Sequence, residues 1–435
     1  MAVFKPILTR YIHRKDSHTL SGYKNVGGYK ALEKMFKTMA PDEVIEEVKA
    51  SNLRGRGGAG FPTGVKWGFI PKDSQKPTYL ICNADEGEPG TFKDRLLLSK
   101  APHMMLEGMI ISSFAIDCHL AFIYIRGEFY QEYKVLEKAV EEAYAANFLG
   151  KDILGSGFDL DVVIHRGAGA YICGEEMGLI ESLEGKRGWP RIKPPFPAVE
   201  GYLMCPTIVN NVETLACLPH ILNRGADWFK SIGSEKGSGP KLYCISGRVN
   251  NPGVYEEPLG ILLTDLIFKR GRGLIDGREL KAVFPGGSSS AILRADEIDG
   301  LQMDFDSLSA AKTMLGSAGV IVMDETVDMV SVCLNIARFY EHESCGQCTP
   351  CREGTTWLVK ILNRIYQGKG SLNDIDMIFE ITDNIGGLID PEASGGSFGK
   401  TICPFGEAVA WPIRSFVEKF EEEFIAYVEK GVDVS

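Results

Sequence analysis

The sequence predicts a multidomain α/β protein with three parts: a strand–helix domain, a small α+β module and a C-terminal helical bundle. Three observations lead there. A chain of 435 residues exceeds one simple core, so two to four domains are expected. From Tyr79 to Ile164, short apolar runs alternate with helical segments. From Val327 onward the apolar period turns helical.

Taken in order, residues 1–72 read as helix and loop. Pro41-Asp42 opens an amphipathic stretch with Val44, Ile45 and Val48 on one face, and a glycine-dense loop comes next at 54–64. Residues 73–240 form the α/β part. Tyr79–Cys82, Leu120–Ile125 and Leu160–Ile164 are continuous apolar runs of strand length, as in buried parallel strands, with helices at Met104–Ala115 and Gln131–Ala146. The Gly/Ser-rich Ser231–Pro240 reads as a linker. Residues 241–326 form the small module, with strands at Lys241–Arg248, Val254–Tyr255, Ala282–Phe284 and Val320–Met323 and a short helix at Leu262–Lys269. Residues 327–435 carry four helical stripes: Met329–Tyr340; Trp357, Leu358, Ile361, Leu362 and Ile365; Ile375, Ile378 and Phe379; and Ile413, Phe416, Phe420, Phe424 and Val428.

Bulk composition narrows the function. A net charge of −11 argues against a nucleic-acid binder, which normally carries a basic face. The longest apolar stretches, Met109–Ala115 and Gly319–Met323, fall far short of a membrane span of about 18 residues. The N-terminus lacks a signal core, so a cytoplasmic chain without direct membrane insertion is expected. Of eleven cysteines, Cys82, Cys118, Cys173, Cys205, Cys217, Cys244 and Cys333 lie in apolar segments and read as small buried hydrophobes. The seven histidines form no metal-spaced pair and read as structural.

The other four cysteines differ. Cys345, Cys348 and Cys351 stand at x2 spacing, and Cys403 lies 52 residues further on. Three thiols on one tight loop and a fourth from a remote segment suit the corners of an iron–sulfur cubane. A zinc held by four thiolates is the competing reading, although such sites usually pair two Cys-x2-Cys units. Pro350 and Pro404 stiffen the ligand loops, and Arg352 stands where it could moderate the cluster's negative charge.

Three glycine-rich or acidic segments carry the remaining chemistry. Arg54–Trp67 contains Gly55, Gly57 and Gly60 flanked by Arg54, Arg56 and Lys66. Glycines allow a backbone to approach a phosphate or flat ring, and these cations suit phosphates. The preceding segment is helical and Pro62 interrupts the next one, so this is not an ordinary dinucleotide turn; a plain flexible loop is the bland alternative. Asn83–Arg95, with Asp85, Glu86 and Glu88, comes after a strand, where open α/β sheets bind ligands; a solvated acidic turn is its alternative. His165–Glu176 is a second glycine turn, after a strand and into a helix, with Gly167, Gly169, Tyr171 and Gly174. Glu175 and Glu176 at the helix start also suit its dipole. Asn210, Asn211 and Thr214 stand at the start of another helix.

These segments, with Glu184–Ala198 and Glu343–Gly354, closely resemble the 51-kilodalton-type flavoprotein subunit of respiratory complex I, in order over nearly the whole chain. The resemblance implies a Rossmann-like FMN/NADH domain, a ubiquitin-like SLBB module from about 241 and a C-terminal four-helix bundle holding a 4Fe–4S cluster on Cys345, Cys348, Cys351 and Cys403. It implies FMN contacts at Gly55, Arg56, Gly57, Lys66, Asn83, Asp85, Tyr171, Gly174, Glu175, Asn210, Asn211 and Thr214. For NADH it implies Gly58, Phe61, Lys66, Phe69 and Phe196, with Glu88, Glu176 and Lys193 near the ribose and nicotinamide ends. Phe61, Phe69 and Phe196 would stack chiefly on the adenine, and Glu88 would repel the 2′-phosphate of NADPH.

The implied reaction is hydride transfer from NADH to FMN, assisted by Glu88 and Glu176, then single-electron transfer to the cluster; the cofactors do the chemistry, so no general base is assigned. Implied partners are a small thioredoxin-like 2Fe–2S subunit and the large iron–sulfur subunit of a peripheral arm, on the cytoplasmic face of the inner membrane. The nearest alternative is the diaphorase subunit of a soluble NAD-linked hydrogenase or formate dehydrogenase; others are a zinc-stabilised scaffold and an electron-transfer module that binds no NADH. Two places depart from the family pattern. Met177-Gly178 replaces a small polar residue and Ala, and Gly178 should weaken its helix by up to about 1 kcal/mol. Cys403 sits in Thr-Ile-Cys-Pro-Phe-Gly rather than a Ser-rich context.

Overall fold

The computed structural model describes residues 4–234, 237–387 and 400–432. The chain opens with α1 (Leu20–Asn25), α2 (Lys30–Thr38) and α3 (Pro41–Ala50). Pro41 fits the first turn of α3, where its missing N–H costs nothing, and the Glu43 carboxylate accepts from the Ala40 amide at 2.7 Å. The glycine loop comes next and ends in the short α4 (Thr63–Trp67).

The first sheet is four-stranded and wholly parallel: β1 (Thr78–Ala84), β2 (Cys118–Ile125), β3 (Asp161–Arg166) and β4 (Thr207–Asn211), in the order β3-β2-β1-β4. Helices α5 (Lys93–Lys100), α6 (Pro102–Ala115) and α7 (Tyr130–Ala145) make the crossovers. Then come α8 (Glu176–Leu183), α9 (Pro197–Glu200), α10 (Val212–Arg224) and α11 (Ala226–Lys230). The runs of β1 and β2 are apolar on consecutive positions because these inner strands are buried on both faces, whereas the edge strand β3 leaves Val163 45% exposed. Leu80, Cys82 and Ala84 of β1 enter a core with α6 and α10, while Ile81, Phe122, Tyr124 and Val209 enter a second core shared with α8 and the C-terminal helices. The seven cysteines read as hydrophobes are all buried. The sequence pattern does not mark β4 as a strand: its Ile208-Val209 pair is short and ends in two asparagines.

The order β3-β2-β1-β4 has a consequence for the site. The chain leaves β1 toward β2 and later returns to the opposite flank of β1 as β4. The crevice at the carboxyl ends of β1 and β4 is therefore the topological switch point, where open α/β sheets take ligands. Asn83 and Asn211 stand opposite each other there, in register.

The segment read as a linker is packed. Strands β5 (Gly233–Ser234) and β6 (Gly237–Ser238) pair, and Ser238 is buried, its carbonyl accepting from the Arg56 guanidinium at 2.6 Å; residues 235–236 lie outside the described residues. The next sheet is mixed and five-stranded: β7 (Pro240–Gly247), β8 (Gly253–Pro258), β9 (Leu280–Phe284), β10 (Leu293–Arg294) and β11 (Gly319–Asp324), in the order β10-β9-β11-β7-β8. The helix expected at Leu262–Lys269 is π-helical over Asp265–Arg270, and α12 (Phe305–Ala310) precedes β11. Glu213 of α10 joins this unit to the first. Fully buried, it accepts from Lys241 Nζ at 2.6 Å, the Leu242 amide at 2.7 Å and Lys93 Nζ at 2.9 Å.

The C-terminal helices are α13 (Met329–Glu343), α14 (Thr349–Tyr366), α15 (Leu372–Ile385), α16 (Phe405–Lys419) and α17 (Glu421–Val432). The stripe read as one last helix is two, because Phe420 leaves helical geometry at φ −132°, ψ 31°. The four-helix core stands, with Phe424 and Val428 of α17 packed into it. Trp357 does not share the buried stripe of α14 and is 53% exposed.

Candidate functional site

A cavity of about 660 Å³ opens at the switch point, within the range of small-molecule and cofactor sites. All three units wall it. The first supplies Gly57–Ala59, Asn83, Asp85–Glu88, Lys93, Asp94, Tyr171, Gly174, Glu175 and Asn211. The second supplies Ser289, Phe305 and Thr313–Ser317, and the bundle Phe405, Glu407 and Trp411.

The loop at 54–62 is held tightly over the sheet's edge. The Gly55 amide donates to the Phe61 carbonyl at 2.8 Å, and Arg54 Nε to the Gly60 carbonyl at 2.7 Å. Gly60 needs its left-handed φ of +65°, and a Cβ there would lie 2.3 Å from the Phe305 ring. At the β1 end, Asn83 Nδ2 donates to the Gly174 carbonyl at 2.9 Å, tying the end of β1 to the second glycine turn.

The expected site residues separate into three tiers. Gly57, Gly58, Asn83, Asp85, Glu88, Tyr171, Gly174, Glu175 and Asn211 line the cavity. A second tier holds that wall from behind. The Arg56 amide donates to Thr214 Oγ1 at 2.8 Å, Trp67 Nε1 donates to Asn210 Oδ1 at 3.0 Å, and Gly55 closes the loop. The Arg56 side chain, read from the sequence as facing an anion, turns inward and is fully buried, with Nε and Nη1 unpartnered among the described residues. The third tier is an outer rim. Lys66 Nζ donates to Glu176 Oε2 at 3.1 Å and the Val209 carbonyl at 2.9 Å, and Lys193 Nζ donates to Glu175 at 2.7 Å and Glu176 at 2.8 Å. Phe61 and Phe69 stand with ring centroids 5.8 Å apart, and with Phe196 they are about half exposed. Single exposed phenylalanines need no explanation, but the adjacent Phe61 and Phe69 rings suit a flat ligand, and Phe196 makes no ring contact with either.

Burial and ion pairing set the electrostatics. Burial lifts Asp85 to about 7 against the pull of Arg126, and its Oδ2 has no partner among the described residues. Glu86 also rises to about 7 through burial and the Asp94 charge, while accepting from the amides of Asp94 and Arg95 that start α5. Glu88 is raised by burial, while the Tyr171 hydroxyl and Ser289 amide, each at 2.7 Å, pull it back. Burial would raise Glu176 too, yet Lys66 and Lys193 hold it down at about 2. Burial drives Lys241 down to about 8, because Glu213 is its one carboxylate partner among the described residues and Lys93 and Arg56 oppose it. Burial also works against Lys93, but Asp94 and Glu213 outweigh it and keep it charged.

The donor set of this cavity fits a flavin mononucleotide. An unpartnered carboxylate oxygen suits a ring N–H, and Gly174 leaves the wall flat, with only the Asp85 carbonyl, at 3.5 Å, near a Cβ built there. The cysteines fit a cluster. Cys345 and Cys348 are partly exposed, while Cys351 in the first turn of α14 and Cys403 just before α16 are buried. A hydrogen bond from Cys351 draws the Cys348 thiol down to about 6, and burial pushes Cys403 up to about 12. The four thiols lie near one another: the charges of Cys345 and Cys348 raise Cys403, and that of Cys403 raises Cys351. A zinc needs all its sulfurs about 2.3 Å from one point, whereas a cubane presents a separate iron to each thiolate. Arg352, expected beside the cluster, is exposed and pairs with Glu353 at 3.6 Å.

Cavity and cysteine loop are mechanically joined. The Tyr171 amide donates to Glu343 at 3.0 Å, two residues before Cys345, and Trp189 Nε1 donates to the Cys345 carbonyl at 3.0 Å. Gly178 has a reason that the sequence conceals: a Cβ there would lie 2.7 Å from the Ile172 carbonyl oxygen, so alanine would strain this packing. Lys93 and Asp94 escape the sequence reading as site residues although they lie inside the 83–95 segment. Ser289, Glu407 and Trp411 reach the cavity from other units and leave no local signal.

A family model described as the Nuo51 FMN-binding domain matches residues 48–220. The SLBB domain matches 241–322, and the NADH-ubiquinone oxidoreductase-F iron-sulfur binding region matches 331–427. The chain is 51% identical over 428 residues to the second F-type NADH-quinone oxidoreductase subunit of Rhizobium meliloti (strain 1021), covering 98% of this chain and 99% of the relative. It is 48% identical to the F-type NADH-quinone oxidoreductase subunit of Rickettsia bellii (strain OSU 85-389), covering 96% and 97%. Among solved structures, an NAD+-reducing [NiFe]-hydrogenase in the H2-reduced state aligns with TM-score 0.82 and 36% identity, over 94% of this chain and 67% of that one. The chain belongs to the F-subunit family of NADH-quinone oxidoreductases, an oxidoreductase family of NADH dehydrogenase subunits with FMN and 4Fe–4S cofactors.

Proposed function

We propose that the inner cavity holds FMN, the outer rim holds NADH, and Cys345, Cys348, Cys351 and Cys403 ligate the 4Fe–4S cluster. The observation that carries this reading is the switch-point cavity whose Tyr171–Gly174 wall is hydrogen-bonded to the cysteine loop through Glu343. When bound, FMN accepts a hydride from NADH and passes its electrons singly to the cluster.

The residues supply position and electrostatics. Asn83 and Asn211 frame the carboxyl ends of β1 and β4, and Asp85 Oδ2 offers its free oxygen to the flavin ring edge. Gly57 and Gly58 bring backbone close to the phosphate end. Lys66, Glu176 and Lys193 hold one another in fixed positions, so the rim is ordered before NADH arrives. Phe61, Phe69 and Phe196 stack on the adenine. Glu88 sets a negative charge against a 2′-phosphate.

The working boundaries are 1–72, 73–240, 241–326 and 327–435. No helix among the described residues is long and apolar enough to cross a membrane. A subunit of a multisubunit oxidoreductase meets the membrane through partners, and the reading places it on the cytoplasmic face, against a small 2Fe–2S subunit and the large iron–sulfur subunit. The hydrogenase likeness favours a second reading, the diaphorase subunit of a soluble NAD-linked enzyme. Co-purification from native membranes separates the two: recovery with quinone-reductase partners supports the first, and recovery with hydrogenase or formate dehydrogenase subunits the second. The FMN assignment is tested by titrating apoprotein with FMN; tight binding lost in Asp85→Asn and Asn83→Ala supports it, and unchanged binding in both refutes it.

A further inference from the structure

The carboxylates around the cavity differ in what their oxygens already do. Glu86 accepts from two amides, Glu88 from the Tyr171 hydroxyl and Ser289 amide, and Asp94 from Lys93 at 2.8 Å and Asn211 at 2.6 Å. Glu175 accepts from the Met177 and Gly178 amides and from Lys193. Two cavity carboxylates keep a buried oxygen with no partner among the described residues: Asp85 through Oδ2 and Glu407 through Oε1. Glu407 comes from α16, one turn beyond Cys403. One turn further, Trp411 also lines the cavity with a buried, unpartnered Nε1. At i and i+4 the two share one helix face.

Building on the flavin reading, the proton balance of the reaction requires an acceptor in this cavity. The hydride brings two electrons and one proton from NADH. The electrons leave singly to the cluster, so one proton is left behind for each NADH oxidised. We propose that Glu407 takes that proton: its carboxylate becomes a carboxylic acid as the flavin is reoxidised, then releases the proton to water before the next turnover. The competing Asp85 shares its surroundings with Arg126, Glu128 and Glu343 and is committed to the flavin edge. Burial alone places Glu407 at about 7, so both protonation states are populated at neutral pH. The charge of Asp306, which faces the cavity from the second unit, is already paired with Arg54 at 3.1 Å.

The test is single-turnover stopped-flow of the FMN- and cluster-loaded protein, reducing with NADH and reoxidising with ferricyanide from pH 5.5 to 8.5, in wild type, Glu407→Gln and Glu407→Asp. The expected result is reoxidation slowed at least tenfold more than reduction in Glu407→Gln, with the acid-side fall of the wild-type profile lost and the rate restored by added formate. Infrared difference titration of the oxidised proteins, without turnover, should show a carboxylic-acid component near pH 7 in wild type that is lost in Glu407→Gln while those of the other raised carboxyls, Asp85 and Glu86 among them, remain. If Glu407→Gln does not retain flavin, Glu407→Asp decides: a shifted reoxidation midpoint supports the proposal and an unchanged one overturns it. Wild-type reoxidation rates and pH profile in Glu407→Gln also overturn it, leaving the flavin reading intact. Flavin that NADH does not bleach in wild type overturns both.

Discussion

Replacing Glu213 by Gln tests how the first two units are joined. Glu213 is fully buried and holds Lys241 at 2.6 Å, Lys93 at 2.9 Å and the Leu242 amide at 2.7 Å. Glutamine can still accept from the amide but removes the charge both lysines share. Lys93 keeps Asp94 at 2.8 Å and stays charged; losing one of its two carboxylates costs about 1.5–3 kcal/mol. Lys241 has no other carboxylate among the described residues, and it sheds its proton. With a pKa of about 8 it lies one unit above pH 7, and one unit is about 1.4 kcal/mol. The expected total is about 3–4 kcal/mol at pH 7, within the range for breaking a buried pair. The Lys241 share vanishes by pH 9, where the wild-type side chain is already neutral. In wild type the folded pKa lies below the ordinary 10.5, so folded protein binds fewer protons than unfolded between pH 8 and 10.5, and this group's contribution to stability rises with pH across that window. Urea unfolding followed by tryptophan fluorescence at pH 7 and pH 9 reads both effects. A loss under 1 kcal/mol at pH 7, or a loss that does not shrink by about 1.4 kcal/mol at pH 9, refutes the reasoning.

Phe69→Ala should raise KM for NADH about tenfold with little change in kcat, since stacking a base on an aromatic ring is worth about 1–3 kcal/mol and acts on binding; an unchanged KM removes Phe69 from the site. Cys403→Ser should lose iron and sulfide while retaining flavin, because the fourth ligand comes from a separate segment; full iron content by metal analysis would exclude it as a ligand. Glu88→Gln should gain NADPH oxidation, and no gain contradicts the proposed repulsion. Glu176 is held at about 2, below its ordinary 4.5, so its ion pairs stabilise the fold above pH 4.5 and cease to as pH falls toward 2. Glu176→Gln should therefore cost about 2–3 kcal/mol at pH 7 and progressively less in acid, by urea unfolding; a loss equal at pH 7 and pH 3.5 argues against the pairing.

The fold is legible where pattern is local. Tyr79–Cys82 and Leu120–Ile125 are apolar on consecutive positions because their sheet is buried on both faces. β4 escapes because two asparagines end it, although those asparagines are what brings the strand to the site. The split at Phe420 is hidden because α16 and α17 bury residues at a spacing that one helix would also give. Trp357 reads as core by its neighbours, yet its own angle on α14 turns it to solvent. Cavity-lining residues are legible where motif and cavity wall coincide, as at Asn83, Asp85 and Tyr171. They are not where distant segments meet: the partners Glu213 and Lys241 lie 28 residues apart in different units, and Glu407 enters the cavity from the bundle. Gly178 looks like a weakened helix because the Ile172 carbonyl it accommodates is visible only in three dimensions.

The most direct test of the central claim is an anaerobic NADH titration of the purified, cofactor-loaded protein, followed by visible absorption and low-temperature EPR. Bleaching of the flavin band with a 4Fe–4S signal that is lost in Cys403→Ser is the predicted result. Folded, flavin-loaded protein that NADH does not bleach would contradict the account.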